Sequence, residues 1–246
     1  FLARGTFADF VPPGPRKVTT GKAAGGFLPG RFIRVEHASG PSASLVLYDG
    51  LPFLCIETAV ANRATTPVTV QSFTPLAANL TLGRAPKDLR TLGYDGLAGA
   101  DVPKTTYMAI TVADPTSGAG VVCAWLTHDR GSGIVSATPA DGAVRIEARS
   151  DYGRMQIPAG GSVEGEKLLV GSFDDARLGL EAYADAMAKV YHVKVKPVPS
   201  GYMTWYHARA LDEKRMPVLA AWCAKNLKPY GFDFLQIDDG WQGGRR

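Results

Sequence analysis

Short alternating runs of apolar and polar residues fill the first 173 positions, and this pattern constrains the fold more than any other feature. Gly, Pro and Asp separate the runs, and an alternation of period two is typical of half-buried β-strands. Phe32–His37 is the clearest run, and Asp49-Gly50 turns Ser44–Tyr48 back into Pro52–Asn62, which indicates a hairpin. Many short strands with frequent turn signals predict an antiparallel β-sandwich, with a barrel as the less favoured alternative.

Further runs extend this pattern towards the middle of the chain. A second hairpin is predicted where Ala64–Pro67 leads from Pro52–Asn62 into Val68–Phe73. The other predicted strands show the same alternation or a short continuous apolar run. They are Tyr107–Val112, Gly120–Leu126, Ala143–Ala148 and Glu166–Val170.

The pattern changes after Gly171. Ser172, with Asp175 three residues later, resembles a capping box and predicts a helix over Ala176–Tyr191 whose apolar stripe packs on a domain surface. Val193–Ser200 contains two prolines and no helical period, which indicates an extended linker. We therefore expect a sandwich domain over 1–173, a linker helix with an extended connection over 174–200, and a second domain over 201–246.

The second domain is predicted to begin with one β-α-β unit. Gly201–Tyr206 and Phe232–Asp238 are the strands, and the helix between them starts at Asp212 or near Pro217. We expect the strands to be parallel and the crossover right-handed. Two strands and one helix cannot bury both faces of a sheet, so the remainder comes from the same gene or from another chain. The apolar helical positions are Met216, Leu219, Ala220, Cys223 and Leu227.

Charge and hydropathy exclude two classes of partner. The 27 basic and 23 acidic residues give a net charge of +4 and are scattered, which argues against nucleic-acid binding. No apolar run reaches the roughly 18 residues of a membrane span, and Phe1–Gly5 lacks the order of a signal peptide.

Because the chain opens without Met, we expect that a leader has been removed, and a secreted or periplasmic location is favoured over a cytoplasmic one. A homo-oligomeric state is compatible with the sequence.

The cysteines and histidines show no metal-binding pattern. Cys55, Cys123 and Cys223 lie far apart within apolar runs, so we predict buried thiols. The four histidines are isolated from one another, and no zinc-ligand spacing occurs. We therefore expect neither a metal nor a cofactor. The histidines are His37, His128, His192 and His207.

Two adjacent carboxylates end the aromatic-rich strand near the C-terminus. Asp238 and Asp239 follow Phe232–Ile237, Gly240 allows a sharp turn, and Trp241 places a flat apolar ring beside the acids. A buried carboxylate without a partner is costly, so we expect this strand to release its acids into a solvated cavity or onto a polar ligand. Acids beside an aromatic ring favour sugar binding. On these residues alone, a helix cap or a turn is an equally good interpretation.

Trp205 at the end of one strand and Asp238-Asp239-Gly240-Trp241 at the end of the next resemble the start of the (β/α)₈ barrel of clan D glycoside hydrolases. The 33 positions between Trp205 and Asp238 fit one barrel repeat. In detail the chain is similar to glycoside hydrolase family 36, the α-galactosidases and their relatives. Pro52–Glu57 leading into Ala61–Val68, and Pro158–Glu166, resemble segments of the sandwich of that family.

The resemblance implies a multidomain α and β protein with three parts. An antiparallel β-supersandwich precedes a helical linker and then the first β-α-β unit of a (β/α)₈ TIM barrel, which is incomplete in this chain. It implies that Asp238 and Asp239 accept hydrogen bonds from the C4 and C6 hydroxyls of a terminal galactosyl unit, and that Trp205 lies against the sugar. Trp241 belongs to the same candidate set, although we favour packing beneath the loop over lining the pocket.

The enzymes of this family are retaining and use a nucleophile and an acid/base. The resemblance places those two aspartates on later barrel strands, so we expect no catalytic residue in this chain and no activity from it alone. It implies a hydrolase that releases α-linked galactose from oligosaccharides. An α-N-acetylgalactosaminidase or a galactosyl transferase of the raffinose-synthase kind is the alternative within the family. A non-catalytic sandwich that binds carbohydrate or a partner chain is the alternative of another class.

The remaining prominent side chains have simpler interpretations. Trp125 and Trp222 lie within apolar runs and are predicted to be in the core. His207 lies two positions after Trp205, and we interpret it as a solvated loop residue. Glu57 and Glu147 alternate with apolar neighbours, which indicates outward, solvated faces of strands.

Overall fold

The computed structural model describes residues 2–5, 15–23, 27–206 and 212–238. It divides the chain into two compact units, residues 1–193 and 194–246. The first unit contains mainly β-strands and one helix. In chain order its strands are β1 (Leu2–Gly5), β2 (Arg16–Ala23), β3 (Gly30–His37), β4 (Pro41–Tyr48), β5 (Leu54–Ala61), β6 (Val68–Leu80), β7 (Arg90–Gly93), β8 (Gly96–Gly99), β9 (Lys104–Tyr107), β10 (Ala109–Ala113), β11 (Gly120–Trp125), β12 (Ser132–Ala140), β13 (Ala143–Ile157), β14 (Ser162–Glu164) and β15 (Leu168–Phe173).

The strands of the first unit form two antiparallel sheets. The small sheet has the order β1-β6-β13-β12-β9, and the large sheet has the order β2-β3-β4-β5-β15-β11-β10-β7-β8, with β14 paired to β5. The hairpin of β4 and β5 around Asp49-Gly50 is present as predicted. The prediction of an antiparallel sandwich is therefore confirmed.

The main core lies between the two sheets. Trp125 of β11 is fully buried, and its Nε1 donates to the carbonyl of Ile134 in β12 at 3.2 Å, so one side chain ties the large sheet to the small sheet. A Cβ on Gly133 would lie 2.5 Å from the indole, which leaves room there only for glycine. The prediction that Trp125 is a core residue is confirmed. Other buried residues of this cluster include Ile56, Leu89, Ile110, Val112, Val144, Ile146 and Leu168.

Helix α1 (Ala176–Val190) packs on the other face of the large sheet. Tyr183 Oη donates to the carbonyl of Trp125 at 2.8 Å, and Ala186 is buried against the sheet. The helix is capped by the Asp175 side chain, which accepts from the Arg177 N–H. Ser172 does not take part in a capping box because it still lies in β15. By its contacts the helix belongs to the first unit, residues 1–193.

Two predicted strand arrangements are wrong because the chain changes sheets where we expected it to continue or to turn back. Tyr107–Val112 is divided at Met108, whose φ of 68° ends β9 in the small sheet before β10 begins in the large sheet. The expected second hairpin is absent because β5 lies in the large sheet and β6 in the small sheet. Asn62, 5% exposed, holds this crossover: its Nδ2 faces the carbonyls of Thr66, Ile157 and Pro158 at 2.9–3.1 Å.

The second unit contains two parallel strands and a helix between them: β16 (Ser200–Met203), α2 (Arg215–Asn226) and β17 (Phe232–Gln236). Helix α2 starts between the two predicted positions. The Asp212 carboxylate accepts the N–H groups of Lys214 and Arg215, and Pro217 is the third helical residue, where no intrahelical N–H bond is lost.

One face of α2 is sheltered, and the rest of the helix is exposed. Cys223 is buried, and Met216, Leu219 and Leu227 are partly buried, which agrees with the predicted stripe apart from the exposed Ala220. Trp222 is 55% exposed, so our prediction that it is a core residue is wrong. Its apolar neighbours in sequence indicated a buried position, but its side chain points away from the sheltered face. Neither of the two helices that the structure describes has the length and apolar character to cross a membrane.

The three cysteines are free and buried, as predicted. Burial raises the pKa of the Cys55 thiol to about 12, and the nearby Glu57 carboxylate contributes to this shift. Burial alone raises the pKa of the Cys123 thiol to about 12. Both thiols are therefore protonated and unreactive in the folded sandwich.

Candidate functional site

The candidate sugar site lies where β16 and β17 end. The two strands are parallel, with Met203 opposite Gln236, so their carboxyl ends lie side by side. Trp205 follows Met203 by two positions, and Asp238 follows Gln236 by two positions. The register therefore brings Trp205 and Asp238 to the same end of adjacent strands. Ligands of parallel sheets bind at this end.

A threonine fixes the backbone at this end of the two strands. Thr204, 5% exposed, accepts the N–H of Asp238 on its Oγ1 at 3.0 Å. Trp205 lies in the 3₁₀ turn Thr204–Tyr206, and both Trp205 and Asp238 are partly buried. The Nε2 of Gln236 lies 3.5 Å from Oδ2 of Asp238, the distance of a weak hydrogen bond. Asp238 and Trp205 thus lie within two residues of the carboxyl ends of β17 and β16, which limits how far either side chain can move from these strand ends.

The other candidate residues are not placed by the structure. Asp239 and Trp241 lie outside the described residues, and so does His207. Asp233, the preceding acid of β17, lies at the opposite end of the strand, where its Oδ2 accepts the N–H of Ser200 at 3.1 Å. What the register places at one end of the two strands is therefore a carboxylate, an indole and an amide. Such groups bind hydroxyls and the C–H face of a sugar ring.

Sequence reasoning missed Thr204 and Gln236 as members of this group. Thr204 lies within a run that we interpreted as a strand, and its partner Asp238 is 34 positions further along the chain. No local pattern signals a hydrogen bond over such a separation. The one feature of the sequence that points to this group is the apolar run that ends at Asp238.

The sandwich contains a separate buried carboxylate that holds a loop. Glu166, 4% exposed, accepts the N–H groups of Arg130 and Gly131 on Oε1 at 2.7 and 2.9 Å, and the Thr127 hydroxyl on Oε2 at 2.5 Å. Burial alone would raise the pKa of Glu166, but these hydrogen bonds outweigh it and lower the pKa below its ordinary value. The ionised form is thus stabilised by the loop that it organises.

A second polar group lies in a small cleft of about 110 Å³ on the large sheet. We interpreted Glu57 as solvated, but its Oε1 accepts the Tyr48 hydroxyl at 2.6 Å and lies 2.5 Å from Lys167 Nζ. Burial, together with the hydrogen bond to Glu57, raises the pKa of Tyr48. These partners satisfy the carboxylate internally. Among the residues described, no group of three or more His, Cys, Asp or Glu side chains is placed to hold a metal ion.

Comparisons with known proteins support the fold. No protein-family model matches the sequence, and no curated protein matches it. Solved structures do: the α-galactosidase of Lactobacillus brevis is 9% identical, with a TM-score of 0.59 over 92% of this chain and 36% of that chain. The GH36 α-galactosidase AgaB of Geobacillus stearothermophilus is 10% identical, with a TM-score of 0.58 over 98% of this chain and 39% of that chain.

A third similar structure is the galactosidase domain of the α-galactosidase-sucrose kinase AgaSK. It is 11% identical, with a TM-score of 0.55 over 92% of this chain and 37% of that chain. The chain spans less than two fifths of the length of these three proteins. Over the portion that it matches, the chain therefore has the fold of the glycoside hydrolase family 36 α-galactosidases, and the resemblance inferred from its sequence is confirmed.

Proposed function

We propose that this chain is part of a retaining glycoside hydrolase that releases terminal α-linked galactose from oligosaccharides. The observation that carries the proposal is the register of β16 and β17, which aligns Trp205 with Asp238 at the carboxyl ends of two parallel strands. In this proposal β16, α2 and β17 begin a (β/α)₈ barrel, and the catalytic face of such a barrel is built at those strand ends.

The proposed roles follow from the chemistry of galactose. The axial O4 and the primary hydroxyl point to one side of the ring, so the adjacent Asp238 and Asp239 can accept hydrogen bonds from both. Glucose would leave one of the two carboxylate acceptors without a partner, and this is the strongest form of discrimination that a polar pocket offers. Trp205 covers the C–H face of the sugar, and Trp241 completes the group from beneath the loop or from the pocket wall.

The catalytic pair belongs to the remainder of the barrel. Retaining enzymes hold their two carboxyl groups roughly 5–5.5 Å apart on opposite sides of the anomeric carbon. Asp238 and Asp239 are consecutive residues at one strand end and serve the substrate hydroxyls instead. The remainder of the barrel, from the same gene or from another chain, supplies the nucleophile and the acid/base.

The test uses the protein encoded by the complete reading frame that contains this chain. Asp238→Asn and Asp239→Asn each remove a charged acceptor, so we expect kcat/KM for nitrophenyl α-galactoside to fall by about 10- to 100-fold, with a lower kcat and a higher KM. Asp233→Asn, at the opposite end of β17, is the matched control and should leave kcat/KM unchanged. Unchanged kinetics in both site variants would remove the two acids from the site.

The same protein distinguishes the alternatives within the family. Faster hydrolysis of the N-acetyl analogue than of nitrophenyl α-galactoside would identify an α-N-acetylgalactosaminidase. Transfer of galactose to sucrose from a galactosyl donor would identify a transferase. No turnover of any of these substrates, with sugar binding retained, would favour the non-catalytic sandwich.

A further inference from the structure

Two exposed tyrosines lie side by side where β9 forms an edge of the small sheet. Tyr94 is 72% exposed and Tyr107 is 56% exposed. Their ring centroids are 5.9 Å apart, and the rings are tilted by 51°. Two exposed rings at one place offer a flat apolar surface with two hydroxyls, on which the C–H face of a sugar can stack.

The backbone around the pair is firmly held. Tyr94 lies in the tight turn between β7 and β8, and its N–H donates to the Thr106 hydroxyl at 3.1 Å. Lys104 Nζ, whose side chain is 7% exposed, lies 2.8 Å from the carboxylate of Asp95. Gly93 has no room for a side chain, because a Cβ would lie 2.8 Å from Thr106 Oγ1. The turn is therefore fixed against β9 before any ligand arrives, which lowers the entropy cost of binding.

The alternation of β9 shows which way Tyr107 points. Lys104 and Thr106 are buried, so Thr105 and Tyr107 point to the outer face of the small sheet. On that face Thr105 Oγ1 lies 3.0 Å from Ser136 Oγ, and Ser136 is opposite Glu147 in β13. A row of hydroxyls and a carboxylate thus extends across the sheet from the aromatic edge.

The exposed side chains of Leu92 and Leu97 belong to a different face. Thr91 is fully buried and lies opposite the core residue Val112, so it points between the sheets. Leu92 and its partner Leu97 consequently point to the outer side of the large sheet. On the outer face of the small sheet Tyr107 lies opposite the partly buried Ile134, and polar groups lie beside this apolar contact. They are the hydroxyls of Thr105 and Ser136 and the carboxylate of Asp95, whose pKa is lowered by its hydrogen bond from Lys104. Rings beside hydroxyls and a carboxylate match a pyranose, which has an apolar C–H face and a hydroxyl rim.

We propose that Tyr94 and Tyr107 form a second carbohydrate-binding site, separate from the strand-end site, that holds a polysaccharide chain across the outer face of the small sheet. The choice of a galactose-bearing polysaccharide rests on the proposed function. The tyrosines supply the stacking surface, and Thr105 and Ser136 supply hydrogen-bonding groups for the sugar hydroxyls. Such a site keeps the enzyme near a polymeric substrate without touching the reacting bond.

The test is native gel electrophoresis of the full chain with and without galactomannan in the gel. Retardation by the polysaccharide, followed over its concentration, gives an apparent Kd. We expect the wild-type chain to be retarded, Tyr94→Ala and Tyr107→Ala to weaken binding, and the double variant to bind at least about tenfold more weakly. Tyr230→Ala is the matched control, because Tyr230 is 87% exposed in the other unit, and it should be retarded like the wild type.

Three results would overturn the proposal. These are no retardation of the wild-type chain, equal retardation of the double variant, or a change in sedimentation of the double variant showing that the tyrosines join copies of the chain. Tyr94 lies in a turn and is well exposed, so Tyr94→Ala tests the site even if Tyr107→Ala weakens β9. The outcome is independent of the strand-end site: Asp238→Asn should still be retarded, and the double tyrosine substitution, made in the protein encoded by the complete reading frame, should leave hydrolysis of nitrophenyl α-galactoside unchanged.

Discussion

At the scale of single residues, Glu166 shows how a buried charge can order a loop. Its carboxylate receives two backbone N–H groups and one hydroxyl from residues 127–131, and it is 4% exposed. Tyr152 contributes further, because its hydroxyl oxygen accepts the Glu166 N–H at 2.8 Å. Charged hydrogen bonds of this kind outweigh the cost of burial, which is why the pKa of Glu166 is lowered.

Glu166→Gln should lower the free energy of unfolding by about 2–3 kcal/mol at pH 7, because an amide replaces a charged acceptor and turns its NH₂ group towards backbone donors. The pKa is lower in the folded state, so the contribution of Glu166 is complete above its ordinary pKa of 4.5 and is lost as the pH falls through the lowered value. Urea denaturation at pH 7 and at about pH 3.5 measures the free energy of unfolding of both proteins. The difference in this free energy between wild type and Glu166→Gln should be smaller at the lower pH. Glu164→Gln is the control, because Glu164 is exposed and its replacement should change the free energy of unfolding little at either pH. A difference that does not change with pH would contradict this role.

The sequence predicted part of the candidate site and missed the rest for local reasons. Asp238 was identifiable because an apolar run ends on it, and Trp205 because it ends the preceding run. Glu166 gave no signal as an anchor, since its partner Gly131 lies 35 positions away. The prediction that Trp222 is a core residue failed because apolar neighbours in sequence do not reveal which side of a helix is covered.

At the scale of elements, the pattern of apolar and polar residues does not predict where the chain passes from one sheet to the other. Tyr107–Val112 is apolar on both sides of Met108, so nothing in the pattern marks a break there. The Met108 N–H nevertheless donates to the Gly133 carbonyl in the small sheet, and the Met108 carbonyl accepts the Trp125 N–H in the large sheet. One residue thus serves both sheets by adopting a φ of 68°. The crossover after β5 is similar, because Asn62 binds carbonyls nearly one hundred positions away. Strand existence was predictable, but the sheet to which each strand belongs depends on such distant partners.

Met108→Gly and Met108→Val should change stability in opposite directions. A side chain at positive φ costs about 1–2 kcal/mol, which glycine avoids at an entropy cost of about 0.5–1 kcal/mol. We therefore expect a net gain of about 0.5–1 kcal/mol for Met108→Gly and a loss of about 1 kcal/mol or more for Val, whose branched Cβ is disfavoured there. Thermal unfolding of both variants measures the signs.

Leu97→Gly supplies the comparison for Met108→Gly. Leu97 is exposed in β8 and has no positive φ, so glycine there should cost about 0.5–1 kcal/mol. If Met108→Gly and Leu97→Gly destabilise the protein equally, Met108 carries no backbone strain that glycine relieves.

At the scale of the whole molecule, the two units differ in how much apolar surface they bury. The first unit has a continuous core between two sheets and a second core beneath α1. The described part of the second unit has two strands and one helix, and Val218, Trp222 and Tyr230 are 70%, 55% and 87% exposed. A sheet of two strands has little independent stability. The second unit should therefore open at a lower denaturant concentration than the first.

The three buried thiols report this difference directly. Cys55 and Cys123 lie in the first unit and Cys223 in the second, and none is exposed in the folded chain. We expect iodoacetamide to label Cys223 at a lower urea concentration than the other two, because labelling requires local opening and the second unit has the smaller core. Peptide mass spectrometry of samples equilibrated across a urea series measures each thiol separately. Cys55 and Cys123 serve as controls for each other, since one cooperative core should expose both together. Simultaneous labelling of all three would show a single cooperative unit and would contradict the division of the chain at residue 193.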